Sequence, residues 1–243
     1  MRIPRIYLPR SLTPDAMVTL DTDAAHHIAR VLRLHAGAPL ILFNGQGGEY
    51  QAILHSITGN QVQAQILKHH AHETESPLQV TLAQGISRGE RMDYTLQKAV
   101  ELGVKTIIPL FSERCEVRLQ GERLDKRVRH WQGIVNSACE QCGRNRIPSV
   151  LAPMTLPQWL PTSDGLRLVL DPHATHSLAQ YTQPADGKIT LLIGPEGGLS
   201  DAEIINTQHA GFTRIRLGPR VLRTETAGLA VLAALQAVWG DLL

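Results

Sequence analysis

The amino-acid sequence predicts an α/β protein in two parts. Residues 1–72 read as a small mixed β barrel with one helix, and residues 73–243 as a mostly parallel sheet flanked by helices. Three observations carry this reading. Short β-like runs separated by turn signals fill the first part. After Pro77, strands alternate with amphipathic helices, the pattern that builds a parallel sheet. Hydrophobic residues make up 43% of the 243, enough to bury a sizeable core.

In the first part the strands are Arg5–Leu8, Leu40–Asn44, Tyr50–Ile57 and Gln61–Leu67, with turns from Asn44-Gly45 through Gly48 and at Thr58-Gly59-Asn60. A helix over Ala24–Leu34 places Ala25, Ile28, Val31 and Leu32 at helical spacing. His69 through Pro77 reads as a linker, and its histidines lack the Cys or carboxylate partners a metal site needs. In the second part the predicted strands are Leu78–Gln84, Thr106–Phe111, Leu166–Leu170, Ile189–Ile193 and Thr213–Leu217. The helices are Arg91–Leu102, Leu124–Cys139, Ala202–His209 and Glu225–Trp239. Met92, Leu96, Ala99, Val100 and Gly103 share one face of the first of these. Ser200-Asp201-Ala202-Glu203 is a capping box that starts the third. The last helix is apolar nearly all round, as a helix buried on more than one side would be.

Composition narrows the function. Three cysteines cannot form a disulfide framework and suit a reducing cytosol. Met1 to Ile6 contains no apolar signal core, and no run is long enough to cross a bilayer, so a soluble cytoplasmic protein is expected. Aromatic residues are only 4%, against a module that stacks bases on rows of Phe and Tyr. The net charge is +2, but the basic residues cluster: Arg2, Arg5 and Arg10 without an acid among them, Arg30 and Arg33 at i,i+3 on the predicted helix, and an excess between Arg88 and Arg146. Several basic patches suit a polyanionic partner, although any one of these arginines could simply be solvated surface.

Two turns at strand ends carry the chemistry, because open α/β sheets bind ligands outside the carboxyl ends of their strands. In the first, Leu191-Leu192-Ile193 runs into Gly194-Pro195-Glu196-Gly197-Gly198-Leu199. It lacks the Lys-Ser/Thr of a P-loop and the G-x-G-x-x-G spacing of a dinucleotide fold. In the second, Leu217-Gly218-Pro219-Arg220-Val221-Leu222-Arg223 leads into a helix with Thr224 as N-cap and Glu225 in the first turn. Tight turns and caps alone would also account for both. Cys139-Glu140-Gln141-Cys142 invites a zinc or redox reading. No second ligand pair accompanies it, and Cys139 falls where a helix closes rather than opens.

The turn IGPEGG, followed by LGPRVLRTETA, together with MRIPRIY, SRGERMDYTLQKAVELGV, PLFSERC and CEQCGRNRIP in this order, resembles the RsmE family of the SPOUT superfamily. That resemblance implies a trefoil-knotted α/β methyltransferase domain preceded by a PUA-like RNA-binding barrel. Periodicity could not supply the knot, since chains rarely thread loops. It further implies S-adenosyl-L-methionine as cofactor, a homodimer, no metal, and methylation of N3 of one uridine in 16S ribosomal RNA, within the small subunit. By the resemblance, Ile193, Gly194, Pro195, Gly197 and Gly198 form one wall of the cofactor pocket. Leu217, Gly218 and Leu222, with Thr224 and Thr226, form another, and Leu170 closes the third side. Arg223 would stabilise the base anion, and Glu225 or Glu196 would orient or deprotonate it. Arg2, Arg5, Arg10, Arg30, Arg33, Arg88, Arg91 and Arg144 are the expected RNA contacts, with Glu140 and Gln141 beside the last. The competing expectations are a related knotted enzyme acting on another rRNA or tRNA nucleotide, and a non-catalytic RNA-binding assembly factor.

Overall fold

The computed structural model describes residues 3–59 and 61–243, so Arg2 lies outside the described residues. The chain divides into two compact units. One comprises residues up to Glu75 together with Cys139–Ile147, the other Ser76–Ala138 with Pro148–Leu243.

The first unit contains β1 (Arg5–Tyr7), β2 (Met17–Thr19), α1 (Thr22–His26), β3 (Pro39–Phe43), β4 (Glu49–Thr58) and β5 (Gln61–His70). These strands form a five-stranded sheet in the order β1-β3-β4-β5-β2, parallel at β1–β3 and antiparallel elsewhere. In β5, Val62, Ala64 and Ile66 are buried while the glutamines between them are exposed, the period-two pattern of a sheet with one dry face. Ala64 and Ile66 pair with Leu54 and Ala52 of β4 and meet Ile6, Leu8, Leu40 and Leu42 in one core. Each large aliphatic side chain buried there contributes about 1.5–3 kcal/mol.

Three expectations for this unit are corrected. β5 runs through His69 and His70, so these two belong to a strand and not to a linker. The predicted helix over 24–34 is short: α1, capped by Asp21, gives way to a π-helical turn at His27–Val31. The wider turn breaks the helical phase. Val31 is therefore 60% exposed, and Arg33, with φ of 51°, lies beyond the helix, where it cannot share a helical face with Arg30. β2 was not predicted, because three residues are too few to show an alternation.

The second unit contains β6 (Gln79–Gly85), α2 (Glu90–Glu101), β7 (Thr106–Phe111), α3 (Glu122–Cys142, its last turn grouped with the first unit), β8 (Ser149–Val150), β9 (Met154–Thr155), α4 (Leu156–Trp159), β10 (Leu166–Leu170), β11 (Lys188–Ile193), α5 (Asp201–His209), β12 (Thr213–Ile215) and α6 (Thr224–Trp239). Its sheet runs β12-β10-β11-β6-β7-β8, parallel throughout, with β9 also pairing with β7. Ile189 to Ile193 are all buried, as a central strand covered on both faces requires. On α2, Met92, Thr95, Leu96, Ala99 and Val100 face inward. The helix α3 continues to Cys142, so Cys139 does not close it. Burial pushes the Cys139 thiol up to about 12, which makes it inert as a thiolate. Among the described residues no group of three His, Cys, Asp or Glu side chains is placed to hold a metal ion. No described helix is long and apolar enough to cross a membrane.

Candidate active site

A cleft of about 680 Å³ opens at the carboxyl ends of β10, β11 and β12. Each strand delivers one turn to it. Leu170 ends β10, and the next residue, Asp171, is buried. Asp171 Oδ2 accepts from Arg214 Nε at 2.6 Å and pairs with Arg214 Nη2 at 2.6 Å, while Oδ1 accepts the His173 N–H at 2.8 Å. A buried carboxylate satisfied in this way fixes both its own turn and β12 beside it.

Ile193 ends β11, and the chain turns at once. The Gly198 N–H donates to the Pro195 carbonyl at 2.9 Å, and Gly198 has φ of 69°, which a glycine adopts without strain. A Cβ on Gly85, at the end of β6, would fall 2.4 Å from the Pro195 nitrogen, so two backbones touch directly beneath the turn. Glycine is also required at Gly197, whose Cβ would lie 2.9 Å from Arg114 Cβ. Arg114 Nη1 donates to the carbonyls of Gly197 and Leu199 at 3.2 and 3.4 Å. The predicted Ser200 cap is present. Its Glu203 is buried and also accepts the Glu113 N–H at 2.9 Å, which ties the loop after β7 to the start of α5.

The third turn follows β12 and enters α6. Arg223 is the N-cap, extended at φ −64° and ψ 154°, and its carbonyl accepts from Ala227. Thr224 is therefore the first helical residue and not the predicted cap. Its hydroxyl is engaged elsewhere: it donates to the Gly194 carbonyl at 2.6 Å and accepts from Gln84 Nε2 at 2.9 Å. Gln84 is wholly buried. This relay joins the glycine turn to the start of α6, two walls of the cleft, and is anchored on the buried Gln84.

The two candidate carboxylates differ. Glu196 Oε1 accepts the Arg88 N–H at 3.0 Å and Arg91 Nη1 at 3.1 Å. Partial burial pushes its pKa up, but the Arg88 amide, its own amide and the Arg91 guanidinium outweigh that and hold it below the ordinary value. Glu225 has no such support. Its Oε2 is buried without a hydrogen-bond partner, and no ion pair with Glu225 forms among the described residues.

Of the predicted site residues, Leu170, Ile193, Gly194, Pro195, Gly198, Leu217, Gly218 and Leu222 line this cleft, with Glu196, Arg223, Thr224 and Glu225. Gly197 and Thr226 do not line it. The first backs onto Arg114, and Thr226 is exposed on α6. The expected RNA contacts also separate. Arg10, Arg30 and Arg33 are exposed. Arg88 and Arg91 are exposed but paired, with Glu116 and Glu196. Arg5 and Arg144 are interior. Arg5, its side chain 8% exposed, pairs with Glu49 and donates to Asn145 Oδ1, and Arg144, 6% exposed, pairs with Glu75 at 2.6 Å. Those two guanidiniums are enclosed by protein partners and turned away from solvent. Glu140, next to this network, accepts the Tyr7 N–H at 2.9 Å and is pushed up in pKa by burial. Sequence reasoning missed Asp171, Arg214 and Gln84. An acid directly after a strand is a signal for the first, but nothing local marks the other two.

Family models match both regions: an RNA methyltransferase PUA domain over residues 20–67 and an RNA methyltransferase domain over residues 74–236. The chain is 39% identical to the ribosomal RNA small subunit methyltransferase E of Buchnera aphidicola from Schizaphis graminum, over 99% of this chain and 98% of that one. A putative methyltransferase from Legionella pneumophila, solved with its bound cofactor SAM, superposes with a TM-score of 0.97 at 43% identity over 100% of both chains. The ribosomal RNA small subunit methyltransferase E of Neisseria gonorrhoeae, solved with S-adenosyl methionine, does so with 0.93 at 41% over 100% of both. The fold is thus α/β, a SPOUT-type methyltransferase domain with a PUA-like domain before it, and the chain belongs to the ribosomal RNA small subunit methyltransferase E family.

Proposed function

We propose that this chain is an S-adenosyl-L-methionine-dependent methyltransferase that methylates N3 of one uridine in 16S ribosomal RNA. The observation that carries the proposal is the cleft at the ends of β10, β11 and β12. Its volume of about 680 Å³ suits a cofactor-sized ligand. Gly198 and Gly218, both at positive φ with nothing within 4 Å of a Cβ, leave bare backbone there, where an adenine can be held by its face and edges. The apolar walls are Leu170, Ile193, Pro195, Leu217 and Leu222.

S-adenosylmethionine supplies an activated methyl group on a sulfonium, and the protein supplies position and electrostatics. The uracil N3 proton must leave as the new N–C bond forms. Glu225 is the base in this reading: it lines the cleft, and its buried Oε2 has no hydrogen-bond partner to compete for that proton. Glu196 is held ionised by Arg88 and Arg91, and a carboxylate with a lowered pKa is a weaker base, so it serves to orient Arg91 and the glycine turn. Arg223, exposed on the cleft, stabilises negative charge developing on the uracil oxygens.

The first unit holds RNA through Arg10, Arg30 and Arg33, and the second carries the chemistry in the cytoplasm. Two copies associate through α6, whose outer side leaves Val238 64% exposed. Sedimentation at increasing concentration should show a dimer. The deciding experiment incubates the protein with undermethylated small ribosomal subunits and labelled S-adenosylmethionine and maps the modified base. A label at N3 of one uridine is expected. Label on another nucleotide, or none, would overturn the proposal.

A further inference from the structure

We infer that Arg216, Arg220 and Val221 form a track along which the substrate RNA strand lies as its target base enters the cleft. The inference rests on the proposed RNA methyltransferase reading and adds where the strand runs. Six arginines line the cleft: Arg91, Arg114, Arg214, Arg216, Arg220 and Arg223. Three are engaged in holding it together. Arg91 pairs with Glu196, Arg114 binds the carbonyls of the glycine turn, and Arg214 grips Asp171. The other three, Arg216, Arg220 and Arg223, are exposed, and among the described residues no ion pair or side-chain hydrogen bond reaches their guanidiniums.

Three unpaired like charges within one short turn repel each other, and a polyanion relieves that repulsion. Between them Val221 is 78% exposed, a branched apolar side chain offered to solvent on the wall of a cleft. An apolar surface flanked by cations matches the chemistry of a nucleic-acid strand, which presents ribose and base faces between phosphates. A small anionic ligand, or the carboxylate of the cofactor, would occupy one cation and leave the others unmatched. The track follows β12, the edge strand of the sheet, whose outer side meets His176 through a bridge to Ile215 and the Arg216 N–H. Arg88 and Arg91, whose positions in the sequence suggested phosphate contacts, have their charge met by Glu116 and Glu196.

The test uses the full-length protein, undermethylated small ribosomal subunits and a short single-stranded RNA. The double variant Arg216→Gln/Arg220→Gln should raise KM for the subunits about tenfold. It should also reduce the slope of log K against log salt for the single strand by about 0.7 per lost phosphate contact. Binding of S-adenosylmethionine by calorimetry should stay within about twofold of the parent. Val221→Ser should raise KM with the salt slope unchanged. An unchanged slope in the double variant, while the parent still methylates, overturns the inference alone. So does a parallel loss of S-adenosylmethionine binding, which would assign these arginines to the cofactor. If Val221→Ser shifts the sedimenting species to a smaller one, a second copy of the chain covers the rim and the inference also fails. A parent protein that transfers no methyl group to the subunits overturns the enzymatic reading instead.

Discussion

Arginine plays opposite parts in the two units. In the first, Arg5 and Arg144 are interior, each paired with a glutamate and, for Arg5, an asparagine carbonyl. On the cleft of the second, Arg216, Arg220 and Arg223 stand exposed. The side chain is the same, and what differs is whether carboxylates and carbonyls surround it. Guanidinium carries five donors in a fixed fork, so where acceptors enclose it, it braces the fold, and where none do, it stays available to an outside anion. A basic residue in a sequence therefore identifies a potential, and only its neighbours decide the use.

Substitutions can sharpen or break that contrast. The largest effect is expected at Arg144→Ala, which leaves Glu75 without its partner in a mostly buried setting. Stability should fall by about 3–5 kcal/mol, read by urea unfolding. An exposed, RNA-contacting Arg144 would cost far less. Arg223→Ala should leave stability nearly untouched and lower kcat by about 100-fold or more, as removal of a positioned charge stabiliser does. Full activity in a folded variant would remove Arg223 from the mechanism. Glu225→Gln should lower kcat by about 100-fold, with the activity lost at every pH, whereas Glu196→Gln should change it only a few-fold. The reverse ranking would make Glu196 the base.

A smaller effect is expected inside the cleft. Thr224→Val removes the hydroxyl that links Gln84 to the Gly194 carbonyl and should weaken S-adenosylmethionine binding about tenfold. Thr224→Ser should restore it, and calorimetry separates the two. The smallest belongs to Glu140 in the first unit, whose pKa is raised by burial. Its ionised form costs stability above the raised pKa, and that cost is relieved as pH falls through it. Glu140→Gln should therefore match or slightly exceed the parent near neutral pH, and the advantage should vanish in acid. A variant clearly weaker at neutral pH would mean that the ionised carboxylate is needed.

Much of the second unit was legible in the sequence because its strands and helices are long and periodic. The apolar run of β11 and the inward face of α2 both declare themselves locally. The elements that escaped notice, β2, β8 and β9, are two or three residues long, too short for periodicity to register. The π-helical turn at His27–Val31 escaped for a different reason: its sequence fits an α-helix, and only the backbone reveals the wider turn. In the site, the glycine and arginine turns were legible from their residues. The separation of Glu196 from Glu225 was not, because it depends on Arg88 and Arg91, about a hundred residues away in the chain.

The sequence by itself determined the two-part plan, the strands and helices of the larger unit, the two turns that line the cleft and the family to which they belong. Each depends on periodicity or on residues adjacent in the chain. The tertiary structure alone decided which arginines are enclosed and which are free, which carboxylate is already paired, and how Gln84 and Asp171 hold the walls together. Those outcomes rest on contacts between residues far apart in sequence. The charge state and availability of a side chain follow from its spatial neighbours, and no local pattern encodes them.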